Sequence, residues 1–257
     1  LFKAFYIQKA SEKIYVIIDE YDHFAKEVLG FNPNGFKDLV SKNGKVRKWY
    51  ETLKEGTETV VDRIFITGVA PITLDSLTSG FNIGTDISQD VRFNEMMGFT
   101  KEELEELLNN QEISKNEQEK ILPIMKENYD GYRFNLKAEK QIYNSNMCLF
   151  FLSGYMWSKN IPDKLIDMNI ASDYSKIGKM LDLCKGENRL EILQKTVQGT
   201  PISSNIVEKF NPAMEFTETD MISMLYYLGY LTISGEDLGI PELVIPNKVM
   251  KEIYASY

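Results

Sequence analysis

The sequence predicts an α/β protein that begins with a small parallel sheet and continues as a mainly α-helical chain. Two apolar runs, at residues 14–18 and 63–69, enclose a helical pattern at residues 46–53. The order strand, helix, strand at this spacing indicates a parallel pair joined by a right-handed crossover. We therefore expect the two strands to be neighbours, with their carboxyl ends at the same edge of the sheet.

The first apolar run, IYVII at residues 14–18, is continuous rather than alternating. Continuous runs rich in β-branched residues are typical of strands that are buried in a parallel sheet. The run ends abruptly at Asp19 and Glu20, and the second run is stopped by Pro71. Each strand is therefore expected to lead directly into a polar or tight loop.

Helix signals dominate the middle of the chain. Thr100, followed three residues later by Glu103, matches a capping box that starts a helix running to about residue 109. Residues 129–134 predict a compact aromatic turn. Further helices are predicted at residues 114–125, 146–157 and 177–183, and a short strand at residues 85–88.

The last section combines helix and strand patterns into a winged-helix-like module. Residues 221–228 contain no Lys or Arg, which a DNA-reading helix needs for its phosphate contacts. We therefore expect an intramolecular or protein-binding role for the module. Its predicted elements are a helix at 220–228 with Thr217 or Thr219 as its cap, strands at 230–233 and 243–245, and a helix at 247–254.

The composition excludes several classes of function. Acidic residues number 38 and basic residues 29, and this net charge of −9 disfavours a broad nucleic-acid-binding surface. No apolar run approaches the ~20 residues of a membrane span. The two cysteines, Cys148 and Cys184, make no disulfide framework and indicate a reducing, cytoplasmic setting. The single histidine, His23, excludes a multi-histidine metal site, so chemistry must rest mainly on carboxylates, hydroxyls and backbone.

Asp19 and Glu20 are the strongest candidates for chemistry. In open α/β sheets, ligands bind beyond the carboxyl ends of the strands. An Asp there can hold Mg²⁺ through water, and the Glu after it can orient or deprotonate an attacking water. The hydroxyl of Thr67, at the end of the second strand, is expected near both carboxylates. A strand that ends in a polar turn, and a Thr favoured by strand geometry, are the alternative interpretations.

A nucleotide site also needs a phosphate loop of the form G-x-x-x-x-G-K-[ST], and the 257 residues contain none. The nearest candidate, Gly44 with Lys45, is followed by Val46 instead of Ser or Thr, and we expect it to lie in a surface loop. His23 could approach a phosphate or a nucleobase, or simply start a surface helix. Arg133, in the aromatic turn, could reach a triphosphate or serve as a structural ion-pair partner.

Five segments, in order along the chain, together resemble the bacterial AAA-ATPase-like family of P-loop proteins, which are often joined to a PD-(D/E)XK nuclease-like domain. The segments are IIDEYD (17–22), FITGVAPI (65–72), LDSLTSGFNI (74–83), FNEMMGFT (93–100) and YDGYRF (129–134). The resemblance implies a partial P-loop NTPase sheet in residues 1–90, a helical lid-like region in 91–190 and the winged-helix-like module in 191–257.

The resemblance also implies roles and ligands. Asp19 corresponds to the Walker B acid that holds Mg²⁺, Glu20 to the catalytic residue for the attacking water, and Thr67 to the sensor position. The implied ligands are ATP and Mg²⁺. The family's phosphate loop would precede Leu1, and its nuclease-like domain would follow Tyr257. Three further residues are placed near the nucleotide: Asp22, His23 and Arg133.

The leading hypothesis is therefore the middle part of a P-loop ATPase that couples ATP hydrolysis to a conformational switch. One alternative is a degenerate scaffold that binds a protein or nucleic-acid partner without turnover. Another is a regulatory part of a nuclease system. The adjacent acids Asp19 and Glu20 favour the first hypothesis, and the acidic net charge disfavours a nucleic-acid clamp.

Overall fold

The computed structural model describes residues 12–22, 44–69, 71, 83–167, 189–210 and 216–255. These residues fall into two compact units. The first unit contains the described residues up to Thr85 together with 207–210, and the second contains those of 86–206 and 216–255. The predicted division of the chain at residues 90 and 190 stays a prediction.

The first unit is built on two parallel strands and one helix. Strand β1 (Ile14–Ile18) pairs with β2 (Val61–Ile66). Helix α1 (Lys45–Thr57) lies between the two strands in the chain and directly precedes β2. The predicted parallel neighbours are therefore confirmed. Strand β2 begins and ends earlier than the apolar run suggested. At its end, the backbone N–H of Val69 donates to the carboxylate of Asp22 instead of to a neighbouring strand.

One face of this small sheet packs on α1. Tyr50 and Leu53 of the helix, with Val60 and Val61, form a buried cluster against the half-buried side chains of both strands. On the opposite face Ile17 lies beside Phe65 in the strand register, and Ile17 is 76% exposed among the described residues. Packing against α1 thus forms the buried core of this unit and covers one face of both strands.

The second unit is mainly α-helical. Its largest buried side chains come from helices that enclose the aromatic turn and the C-terminal hairpin. Its elements in chain order are α2 (Lys101–Asn110), α3 (Lys115–Tyr129), α4 (Ser145–Ser158), α5 (Arg189–Val197), β3 (Ile202–Ser203), α6 (Glu218–Tyr227), β4 (Thr232–Asp237), β5 (Ile240–Val244) and α7 (Lys248–Ala255).

Capping boxes begin three of these helices. The predicted box of Thr100 and Glu103 starts α2, and each side chain satisfies a backbone N–H of the other residue. The same reciprocal pattern starts α3 and α6, the latter with Thr217 as its cap. Caps of this kind each stabilise a helix by about 1 kcal/mol, so the sequence specifies these starts locally.

The aromatic turn at residues 129–134 joins the helices to the C-terminal hairpin. Tyr132 pairs with Ile142 in an isolated antiparallel bridge, and the hydroxyl of Tyr226 donates to the carbonyl of Phe134 at 3.0 Å. Gly131 has a φ of +108°, and a Cβ there would lie 2.2 Å from the carbonyl oxygen of Pro246. Only glycine fits this close approach.

The C-terminal elements follow the predicted order of helix, two strands and helix, and β3 adds a third strand in the sheet order β3-β5-β4. The hairpin is longer than predicted, because Leu238 and Gly239 both adopt positive φ and turn the chain in two residues. Two such residues form the tight turn that matches strand twist. That the module is a winged helix stays a prediction.

Two other sequence predictions have different outcomes. Residues 85–88, predicted as a short strand, form no strand and lead into a turn. The backbone N–H of Ser88 donates to the carboxylate of Asp86, and this local bond replaces a sheet ladder. The helix predicted at residues 177–183 lies outside the described residues.

Candidate functional site

The candidate site lies where β1 and β2 end. The backbone N–H of Thr67 donates to the carbonyl of Ile18 at 2.8 Å, and the N–H of Tyr21 donates to the carbonyl of Thr67 at 2.9 Å. These two bonds continue the pairing of the strands into the loops that follow them. The loop after β1 and the loop after β2 are therefore held side by side at the carboxyl edge of the sheet.

Asp19 and Thr67 meet at this edge. The Thr67 hydroxyl donates to Oδ1 of Asp19 at 2.6 Å, and the backbone N–H of Glu20 donates to the same oxygen at 2.9 Å. Two donors on Oδ1 fix the orientation of the carboxylate. Its second oxygen, Oδ2, has no hydrogen-bond donor among the described residues, and Asp19 is exposed. Asp19 therefore offers one oriented oxygen to a ligand.

Glu20 has an unusual backbone. Its φ is +51°, in the left-handed region, and its side chain is exposed. A residue with a Cβ pays about 1 kcal/mol or more for this conformation, and such residues concentrate at functional sites. The left-handed turn directs the chain from the end of β1 into the contact between Tyr21 and Thr67. Glu20 is thus held next to Asp19 at an energetic cost.

Asp22 occupies a different environment, since its side chain is fully buried. Both of its carboxylate oxygens lie 3.2 Å from the backbone N–H of Val69, which donates to them. The hydroxyl of Tyr50 in α1 interacts with the charge of Asp22. Burial raises the pKa of Tyr50 to about 12, and the negative charge of Asp22 contributes to this shift. Asp22 therefore connects the first loop to the second and lies near the core under the sheet.

Gly68 lies between the two loops. A Cβ at this position would lie 2.4 Å from Cδ1 of Tyr21 and 2.8 Å from Oδ1 of Asp22. Any side chain larger than hydrogen would have to displace the ring or the carboxylate. The absence of a side chain at Gly68 is therefore what allows the loops to touch.

The remaining predicted site residues have other locations. His23 lies outside the described residues. Arg133 belongs to the second unit, where its Nε donates to the carbonyl of Ile233 at 3.0 Å and its backbone N–H donates to the hydroxyl of Thr232 at 2.8 Å. These bonds fasten the aromatic turn to β4. The sequence does not predict the close approach at Gly68 or the bond from Val69 to Asp22. The available signal was a Gly directly after a strand, which permits a close contact between loops.

The donor set at the strand ends suits a hard cation. Carboxylate oxygens and water suit Mg²⁺, and Asp19 supplies a carboxylate that the Thr67 hydroxyl orients. Within the part of the chain that the structure describes, no group of three or more His, Cys, Asp or Glu side chains could hold a metal ion. Mg²⁺ in nucleotide sites commonly uses one or two carboxylates with waters and substrate phosphates, and that arrangement fits these residues.

Part of the chain matches a known protein family. Residues 2–78 match the family model AAA-ATPase_like, described as a predicted AAA-ATPase. No curated protein and no solved structure matches the chain. Among the described helices, none has the length and apolar character needed to cross a membrane. The matched segment contains both parallel strands and the loops that carry Asp19 and Thr67, and its match supports an AAA-ATPase-like family.

Proposed function

We propose that this chain is the middle part of a P-loop ATPase of the AAA-ATPase-like family, which binds and hydrolyses ATP to drive a conformational switch. The observation that carries the proposal is the bond from the Thr67 hydroxyl to Asp19, at the carboxyl edge of two parallel strands. Both residues lie in the segment that matches the family. The phosphate loop is supplied by a segment upstream of Leu1, and a nuclease-like domain is a candidate partner.

In this proposal each residue has a separate task. Asp19 holds Mg²⁺, directly or through water, with the oxygen that points away from Thr67. Bound Mg²⁺ neutralises charge that develops on the phosphates. Thr67 keeps the Asp19 carboxylate in one orientation, and Glu20 orients and deprotonates the attacking water. Asp22, His23 and Arg133 are retained as proposals for residues near the nucleotide.

A non-hydrolysing scaffold is the second candidate function. The observation that favours it is the lack of a G-x-x-x-x-G-K-[ST] sequence anywhere in the 257 residues. Without the backbone N–H groups and the Lys of such a loop, Asp19 and Glu20 would repel a triphosphate rather than bind it. In this case the chain would bind a partner or control a fused nuclease-like domain without turnover.

The test compares the 257-residue chain with a longer protein that includes the upstream segment. ATP binding is measured by calorimetry and hydrolysis by phosphate release. We expect background hydrolysis from the chain and Mg²⁺-dependent ATP binding by the longer protein. In the longer protein, Glu20→Gln keeps ATP binding and lowers hydrolysis about 100-fold, whereas Asp19→Ala weakens the Mg²⁺ dependence.

Glu58→Gln is the matched control, because Glu58 is an exposed acid of the same unit at the end of α1. It leaves binding and hydrolysis unchanged. Fast hydrolysis by the 257-residue chain would show that the site is misplaced. A longer protein that binds no nucleotide would favour the scaffold instead.

A further inference from the structure

The buried carboxylate of Asp22 needs an explanation. A carboxylate removed from water is costly unless hydrogen bonds compensate it, so a fully buried Asp beside a surface loop is unusual. Both oxygens of Asp22 accept from the backbone N–H of Val69 at 3.2 Å. Because the side chain is buried, its position indicates a role in holding the two loops together.

The contact closes a series of bonds between the two loops. The series begins where Thr67 contacts Ile18 through its backbone and Asp19 through its hydroxyl. It continues with the N–H of Tyr21 on the carbonyl of Thr67. It ends at Asp22 and Val69, one residue further along the first loop and two residues beyond Thr67. A shift at the last bond is therefore transmitted to the first.

The space between the loops leaves little freedom for such a shift. Gly68 packs so closely on Tyr21 and Asp22 that even a methyl group would overlap both. Close-packed contacts of this kind transmit displacement instead of absorbing it. The carboxylate of Asp22 thus holds the second loop at Val69, two residues beyond the contact of Thr67 with Asp19.

We propose that Asp22 is a positioning residue: its buried carboxylate holds the Val69 backbone so that the Thr67 hydroxyl stays on Asp19. This proposal rests on the proposed ATPase function. Without the bond to Asp22, the loop after β2 loses one anchor and Thr67 moves relative to Asp19. An error of about 1 Å at a reacting centre costs up to about 100-fold in rate.

The test uses three variants of the longer protein that carries the upstream segment. Asp22→Ala removes both acceptor oxygens, and we expect kcat to fall about 10-fold or more with an almost unchanged KM for ATP. Asp22→Asn keeps one oxygen for Val69 and restores most of kcat. Leu53→Ala removes a side chain that is buried in the cluster between α1 and the two strands of the same unit. It lowers the melting temperature but leaves kcat per folded molecule unchanged.

Amide exchange at Val69, followed by NMR, gives a readout that is independent of activity. We expect faster exchange in Asp22→Ala than in Asp22→Asn or Leu53→Ala. If Asp22→Ala exposes the Val69 amide and kcat is unchanged, or if KM rises as much as kcat falls, the positioning role is wrong. If the unaltered longer protein binds no nucleotide, the proposed function is wrong and the positioning role fails with it. If the unaltered protein turns over ATP normally and only the Asp22 variants behave differently from expectation, the positioning role alone is wrong.

Discussion

The hydroxyl of Thr67 lies 2.6 Å from Oδ1 of Asp19, a residue 48 positions away in the sequence. This bond joins the carboxyl ends of two parallel strands. A short bond from a hydroxyl to a carboxylate is stronger than one between neutral groups, and here it also selects which oxygen of Asp19 stays available. The pair is a small structural feature with a direct chemical consequence, and it can be tested with substitutions of nearly constant volume.

Replacing Thr67 with Val keeps the shape of the side chain and removes the hydroxyl. In the longer protein we expect Thr67→Val to lower ATP hydrolysis about 10-fold and to raise the Mg²⁺ concentration needed for half-maximal rate, because Asp19 is no longer held in one orientation. Thr67→Ser retains the donor and most of the activity. Phosphate release over a Mg²⁺ titration measures both effects; equal rates for Val and Ser would contradict the role of the hydroxyl.

The left-handed backbone of Glu20 predicts that activity and stability can be separated. Asn tolerates positive φ better than Glu, so Glu20→Asn should stabilise the protein by about 0.5–1 kcal/mol while hydrolysis falls about 100-fold. Urea unfolding gives the free energy. Glu112, with a φ of +56°, is the matched control: Glu112→Asn should stabilise similarly and leave hydrolysis unchanged. A destabilised Glu20→Asn would show that the side chain itself holds the turn.

How much could be predicted from the sequence depends on whether a general rule links a pattern to one structure. The cap at Thr100 follows from a four-residue pattern, and the meeting of Asp19 with Thr67 follows from the order strand, helix, strand, because parallel neighbours bring their carboxyl ends to one edge of the sheet. The burial of Asp22 does not, because it requires the exact path of two loops that are distant in sequence. Nor does the long hairpin, since it places Leu238 in the left-handed region that Leu rarely adopts.

Gly68 should tolerate no side chain. Gly68→Ala places a Cβ against Tyr21 and Asp22 and should lower stability of the first unit by more than about 1 kcal/mol, since overpacking displaces neighbouring groups. Trp49 of α1 can report this unfolding by fluorescence in a Trp157→Phe background, because the chain has two tryptophans. Gly84→Ala is the control, since a Cβ there meets no atom of the described residues within 4 Å. Equal unfolding midpoints for the two variants would contradict the close approach of Gly68 to Tyr21 and Asp22.

Tyr50 makes the first unit sensitive to alkali. Its pKa is raised by burial to about 12, with a contribution from the charge of Asp22, whereas an unfolded tyrosine titrates near 10. Its neutral form therefore stabilises the fold fully below pH 10, and that contribution is lost as the pH rises from 10 to 12. Tyr50→Phe should flatten the fall of unfolding free energy over this range. Circular dichroism during urea titrations at several pH values measures it, and an unchanged slope would contradict the assignment.

Gly131 tests the aromatic turn of the second unit. Gly131→Ala combines a φ of +108° with a Cβ only 2.2 Å from the carbonyl oxygen of Pro246, so backbone strain and a steric clash act together. Gly239→Ala shares the positive φ, but its Cβ meets nothing within 4 Å, so it isolates the cost of strain, about 1 kcal/mol. We expect Gly131→Ala to cost at least about 2 kcal/mol more than this control by calorimetry.

Because Pro246 directly precedes Asn247, whose side-chain amide donates to the carbonyl of Asp130 at 3.0 Å, the clash would also break the bond that joins the turn to the start of α7. Similar melting temperatures for the two variants would mean that the turn yields without loss, and the aromatic turn would then not fix the C-terminal elements.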